Sequence, residues 1–327
     1  MNGYEKELLS KLNDARPNNK ISSHKQYVRC LRLLSEKNKE DDFNNIDFTK
    51  DTTLVGKLTT DLSDSTKRNY LTACANILRL EDENDEITKI VKYYEDKVKE
   101  YNTQYKKDNS ETTEISAKQK PAFDIGMDGL VNMMYKMEKN LDNPTTYLAY
   151  MVYQILLRHP LRNEIGTLQK IKLADFNRLK VGAPLTEEFK GQNWLVIPSN
   201  IYKKQITIVS TNFKTDKTYG VKNVEIVDKV LRKKLMDYIK FTGNEFSGPL
   251  FTYKDNPVNE KTLTDILLYQ SKKYTDKKIG VGTTMFYKIT LSHETGEINK
   301  LMKKKAMERG QSVATQSMIY SKTSTAE

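Results

Sequence analysis

The sequence predicts a mainly helical chain with one small antiparallel β-sheet, divided into two domains. Three observations carry this. Apolar residues recur at three- and four-residue spacing through residues 1–105 and again after Pro121. Short runs of strand character, rich in Val and Ile, are confined to the stretch between Trp194 and Val227. Between the two helical halves lies a polar segment, residues 106–120, which lacks apolar rhythm and contains Ser110-Glu111-Thr112-Thr113-Glu114. The expected domains are therefore 1–105 and 121–327, joined by a linker over 106–120.

The elements are expected in this order. Helices cover Tyr4–Leu12, Ser22–Ser35 and Ser65–Leu80. Tyr27, Cys30, Leu31 and Leu34 form the apolar stripe of the second. Tyr70, Leu71, Cys74, Ile77 and Leu78 form that of the third. Ser22, and Ser63 or Ser65, suit N-cap positions. A charged helix runs from Glu86 toward Tyr105. Beyond Pro121, helices span Phe123–Lys139 and Thr145–Arg158, and a third begins near Arg162 or Asn163. Strands follow at Trp194–Ile197, Gln205–Thr211 and Val221–Val227. The last two bracket Asn212–Gly220 and read as a hairpin with a long connection. Helices resume over Val227–Phe241, Glu260–Tyr274, Thr284–Glu294 and Glu297–Glu308. No internal repeat or low-complexity tract interrupts the pattern.

Composition narrows the partners. Lys and Arg number 54 against 43 Asp and Glu, for a net charge of +11 over 327 residues. An excess of this sign suits a polyanion, and double-stranded DNA is the expected partner. No apolar run is long enough for a membrane span, so no membrane partner is expected. The polar start carries no secretory signal. Cys30 and Cys74 lie in separate helical stripes and read as buried free thiols. Together these imply an intracellular, reducing compartment such as cytoplasm or nucleus. His24, His159 and His293 lack ligand spacing, and no glycine loop is built to cradle phosphate. No metal or other cofactor is expected.

Three places carry residues suited to phosphate chemistry. In Leu161-Arg162-Asn163-Glu164-Ile165-Gly166-Thr167-Leu168, Arg162 opens an amphipathic turn. Its guanidinium fork can stabilise charge on non-bridging oxygens. In Asn212-Phe213-Lys214-Thr215-Asp216-Lys217-Thr218-Tyr219-Gly220, a lysine at the strand end can reach a groove and protonate a leaving oxygen. In the segment Arg309–Tyr320, a Gly310-Gln311-Ser312 turn precedes a helical stretch presenting Tyr320. A phenol attacks phosphate only when a base takes its proton and cations offset the developing charge. Taken singly, each has a plainer reading: a surface arginine, a solvated hairpin tip, and one packing tyrosine among 19.

Taken in order, these segments resemble the tyrosine recombinase (phage-type integrase) family. Leu161–Leu168 is similar to that family's first-arginine motif. Phe213–Gly220 is similar to the lysine hairpin of members from large DNA viruses and virophages. Arg309–Tyr320 resembles the Gly-His-Ser…Tyr segment, with nine positions from Gln311 to Tyr320. Ser65-Thr66-Lys67-Arg68-Asn69-Tyr70 looks like the start of a core-binding helix.

The resemblance implies a helical core-binding domain followed by an α+β catalytic-type domain. It implies cutting and rejoining of DNA through a 3′-phosphotyrosyl link. Tyr320 would be the nucleophile, Arg162 the first phosphate clamp, and Lys214 the general acid, with Lys217 as second choice. DNA contacts would come from Lys67, Arg68 and Lys217. The family's His-x-x-Arg falls in Gly282–Ile289, where Thr284 and Tyr287 occupy the two slots, or Lys288 the second if the register shifts by one. These three residues are expected against the DNA, Lys288 as a weaker cation in the arginine's place. Gln311 stands in the catalytic set where His or Trp is usual; it can hydrogen-bond the phosphate but brings no charge. Two functions follow as expectations: a strand transferase for DNA integration or recombination, or an impaired homologue that holds DNA as an architectural or virion-associated protein. Family members assemble on DNA by exchanging a C-terminal segment. The few residues after Tyr320 leave little for such self-association. The resemblance adds the viral factory and the virion to the expected locations.

Overall fold

The computed structural model describes residues 1–308 except 18, 20, 40, 41, 83, 112–114, 181–188, 190, 214, 215 and 244. The chain separates into two compact units, Met1–Glu114 and Ile115–Glu327. No helix among the described residues is long and apolar enough to cross a membrane.

The first unit is a helical bundle. It comprises α1 (Gly3–Ala15), α2 (Ile21–Lys37), a 3-10 turn (Asp47–Lys50), α3 (Thr52–Thr59), α4 (Asp64–Leu78) and α5 (Asp85–Glu111). Leu8, Leu12, Leu31, Leu34, Ile77 and Leu78 pack into one core, which makes the sequence stripes of α2 and α4 the inward faces. Cys30 and Cys74 are free and buried within it. Burial pushes both thiols up from their ordinary value, which disfavours the reactive thiolate. Tyr94 is fully buried and donates its hydroxyl to the Thr49 carbonyl at 2.7 Å, which staples α5 to the 3-10 turn.

Two local expectations change here, and one is resolved between its alternatives. Helix α2 begins at Ile21, so Ser22 lies inside its first turn rather than at the cap. Ser63, not Ser65, is the N-cap residue of α4. Helix α5 continues through Glu111, past the expected linker boundary at 105. The reason is an extension of its α4-facing stripe: Tyr101 lies under Lys67 and Tyr105 under Arg68.

The second unit places helices around a small sheet. Its early elements are α6 (Lys120–Phe123), α7 (Gly126–Glu138), α8 (Pro144–Leu156), a second 3-10 turn (Asn163–Thr167), β1 (Leu168–Lys172), α9 (Leu173–Lys180), β2 (Asn193–Ile197) and β3 (Ile206–Ser210). Then come α10 (Asp216–Tyr219), β4 (Lys222–Ile226), α11 (Lys229–Phe241), β5 (Gly248–Pro249), β6 (Thr252–Tyr253), β7 (Asn256–Pro257), α12 (Glu260–Tyr274) and α13 (Thr283–Glu308). The main sheet runs β4-β3-β2-β1-β5, and β6 and β7 form a separate ribbon. Helix α8 is buried continuously from Thr146 to Leu156 and forms the axis of the core. Leu168, Leu195, Ile206 and Ile208 face that core. Trp194, Val196 and Val209 face the other way, onto Phe176 and Phe189.

The sheet is mixed, which corrects the antiparallel expectation. Strands β1 and β2 pair in parallel, Leu168 opposite Asn193 and Lys172 opposite Ile197. The other pairs of this sheet, including the β3–β4 hairpin, are antiparallel. The source of the difference is Asn163–Lys172. The sequence reads as a helix there, because Ile165, Leu168 and Ile171 recur every third residue. In the fold these residues serve two faces: Leu168 packs on the main core and Ile171 on the Trp194 side. A single 3-10 turn followed by a strand satisfies both. A parallel partner then needs a crossover, and α9 lies within it. At the C-terminal end, the helices expected at Thr284–Glu294 and Glu297–Glu308 form one helix, α13, with Gly296 inside it. A glycine weakens a helix by about 1 kcal/mol without ending it.

Candidate nucleic-acid interface

The amino ends of β1 and β2 are tied to the mouth of the lysine hairpin by one side chain. Asn193 opens β2 and is 2% exposed. Its Nδ2 donates to Thr167 Oγ1 at 3.0 Å and to the Asn212 carbonyl at 2.9 Å. Its Oδ1 accepts from the Thr211 and Asn212 amides at 3.1 and 3.0 Å. That fills the hydrogen-bonding capacity of the amide. Asn212 stands two residues before Lys214. The chain leaving β3 toward the hairpin lysines is thus held against the end of the 3-10 turn that begins after Arg162.

The same turn is tied to the start of α13. Thr283 donates its hydroxyl to Asn163 Oδ1 at 2.6 Å, and Asn163 Nδ2 donates to Thr264 Oγ1 of α12 at 2.9 Å. Gly166 permits the close approach. A Cβ at that position would meet Leu263 and Val258 at 3.2 Å. Arg162 precedes Asn163 directly, and Thr284 follows Thr283 directly. The Arg162 turn, the start of α13 and the hairpin mouth therefore converge at one end of the sheet.

The individual residues divide as follows. Arg162 is exposed and has extended backbone; its carbonyl accepts from the Ile165 amide at 3.1 Å, and its guanidinium has no hydrogen-bond or ion-pair partner among the described residues. Thr284 and Tyr287 are exposed on one face of α13. Lys288 is half-buried and donates to Gln119 Oε1 at 2.7 Å, so one of its three donors is already used. Lys214, Gln311 and Tyr320 lie outside the described residues, as does the side chain of Lys217, whose backbone belongs to α10. Helix α10 closes at Gly220, where φ is +65° and the Gly220 amide bonds the Asp216 carbonyl at 2.7 Å.

In the first unit, Lys67 and Arg68 are half-buried and committed to α5. Arg68 donates to Asn102 Oδ1 at 3.0 Å and lies 5.7 Å from the Tyr105 ring centre. Lys67 lies 5.9 Å from that of Tyr101 and 3.6 Å from the Asp64 carboxylate. Their positive field remains, but their side chains hold the α4–α5 contact first.

What this arrangement can do is limited by its charge. A pentavalent phosphorus needs several donors, and losing one preorganised donor commonly costs about 3–4 kcal/mol, or roughly a hundred- to a thousandfold in rate. Among the described residues, Arg162 is the one guanidinium in the segments that converge here. His159, three residues before it, brings no charge at neutral pH. Burial pushes its imidazole below the ordinary value, Arg158 adds to this, and Asp228 opposes it. Among the described residues no group of three or more His, Cys, Asp or Glu is placed to hold a metal ion.

Asn163, Gly166, Asn193 and Thr283 were not legible as site residues in the sequence. Asn163 carried one signal, its place directly after Arg162. Asn193 carried none, because a polar residue before an apolar run reads as a strand boundary. No family model, curated protein or solved structure matches this chain.

Proposed function

We propose that this chain binds duplex DNA at the amino end of the β1–β2 pair and works as a DNA strand transferase of the tyrosine recombinase type. The observation that supports this reading is the convergence of the Arg162 turn, the α13 start and the hairpin mouth through Asn163 and Asn193. In this reading Arg162 forks onto the non-bridging oxygens of the scissile phosphate. The Tyr320 oxygen attacks phosphorus as its proton passes to water, the bond to the 5′-oxygen breaks, and Lys214 gives that oxygen a proton. Attack by a 5′-hydroxyl reverses the step and releases the tyrosine.

A second reading is favoured by the α13 residues. Thr284 and Tyr287 offer no charge, and Lys288 is engaged by Gln119. A homologue that holds DNA without cutting it needs the basic surface and the clamp, and not a complete charge set.

Covalent capture separates the two. The protein is incubated with pooled nicked duplex fragments, denatured, and assayed for DNA linked to protein. Strand transfer requires an adduct that Tyr320→Phe abolishes and Arg162→Gln reduces at least a hundredfold. Absence of an adduct alongside salt-sensitive duplex binding supports the holding function. Absence of both removes the DNA reading altogether.

A further inference from the structure

The carboxyl ends of β1 and β2 open onto a cleft of about 770 Å³. The strands separate it from the Arg162 turn by about 13 Å, given their rise per residue. Ile197, Ile201, Met236 and Phe246 form its floor, the last three as half-buried side chains packed on the main core. Lys172 and Lys204 stand exposed at the rim, with no ion-pair partner among the described residues. Asn177 and Ser199 add hydrogen-bonding groups, and among the described residues no Asp or Glu lines the cleft. Tyr202, 75% exposed, flanks the opening.

One wall is held in shape from within the protein. Arg232 is 5% exposed, and its guanidinium donates to the carbonyls of Ile201 at 2.5 Å, Lys204 at 3.0 Å and Val227 at 3.4 Å. Asn200 Oδ1 accepts from the Tyr202 and Lys203 amides at 2.9 and 3.1 Å. A buried arginine spent on loop carbonyls fixes the loop before any ligand arrives, which lowers the ordering cost of binding.

We propose that this cleft binds a small amphipathic organic anion, with a carboxylate, sulfonate or phosphate head on an apolar body. Its volume lies within the roughly 300–1,000 Å³ usual for small-molecule sites. The floor takes the apolar body, which a nucleic-acid backbone lacks. The two lysines take the head, and Asn177 and Ser199 can hydrogen-bond it. The site is independent of the proposed DNA interface, since it lies at the opposite end of the same strands.

The test titrates the full chain with 8-anilinonaphthalene-1-sulfonate, followed by fluorescence, and then competes the dye with dodecanoate or with uncharged dodecanol. The expected result is saturable single-site binding, displaced by dodecanoate far better than by dodecanol. Lys172→Glu with Lys204→Glu weakens it about tenfold or more. Met236→Trp, which fills the floor, abolishes it. Duplex binding, measured on the same samples, is not changed by Met236→Trp. Non-saturable dye uptake, equal competition by dodecanol, or undiminished affinity in the double lysine variant would overturn the proposal. The lysine variant touches no core residue, so it tests the site even if Met236→Trp fails to fold.

Discussion

Asn193 shows how much can rest on one buried amide. Four hydrogen bonds join it to the 3-10 turn and the hairpin mouth. Asn193→Ala leaves those partners without the amide in a partly buried site, where a net loss of about 1 kcal/mol each is usual. Chemical denaturation is expected to show a loss of roughly 2–4 kcal/mol. A loss below about 0.5 kcal/mol would mean that water replaces the amide without cost, and that Asn193 does not hold the hairpin. Asn193→Asp tests the same point differently, because a carboxylate cannot donate to the Asn212 carbonyl. It is expected to destabilise as well, although its size is unchanged.

Two elements depend on small local devices. The 3-10 turn approaches α12 only because Gly166 has no side chain. Gly166→Ala is expected to cost about 1–3 kcal/mol, since the buried Leu263 and Val258 side chains must give way. The loss should be visible as a lower thermal midpoint and, if the turn positions Arg162, as weaker duplex binding. Helix α11 depends on its cap. Asp228 Oδ1 accepts from the Val230 and Leu231 amides at 2.7 and 3.2 Å, and Oδ2 accepts from Arg158. The Arg158 guanidinium, with these amides, holds the carboxyl below the usual carboxylate range. A depressed carboxylate contributes stability that is present above its unfolded value near 4. That stability is lost as pH falls through the lower folded value. At pH 7, Asp228→Ala is expected to cost about 1–2 kcal/mol. Asp228→Asn keeps a capping oxygen and should cost less. The gap between Asp228→Asn and the parent, followed by urea unfolding, should close as pH drops below about 4. A gap that stays constant with pH would remove the ion pair from the account.

At the scale of the molecule, each unit owns a core. Leu31, Leu34, Ile77 and Tyr94 belong to one, and Tyr150, Tyr153, Leu195 and Phe286 to the other. A unit with its own core can fold alone. A fragment of residues 1–114 is therefore expected to unfold cooperatively, with a helical circular dichroism spectrum. A broad, non-cooperative transition would mean that the bundle depends on the rest of the chain. The same fragment isolates Lys67 and Arg68 from the Arg162 region. Its affinity for duplex DNA and the salt dependence of that affinity measure the contribution of the bundle's surface, with a slope of about −0.9 per phosphate neutralised.

Local chemistry was legible where it acts over one or two turns. The stripes of α2 and α4, the β3–β4 hairpin and the burial of Cys30 and Cys74 follow from spacing along the chain. A helix or hairpin repeats its pattern within a few residues. Tertiary structure decided what depends on partners far away. The three-residue spacing from Ile165 to Ile171 became a turn and a strand because two different cores compete for those side chains. Gly296 stayed inside α13, although it reads as a boundary. Lys67, Arg68 and Lys288 are positive in the sequence, but Tyr101, Tyr105 and Gln119 claim them in the fold. The chain order of Arg162, the hairpin and Thr284 can be read directly. Their meeting at one end of the sheet depends on hydrogen bonds from Asn163 and Asn193. A polar side chain shows its partner only once folding has brought the distant segments together and removed the water between them.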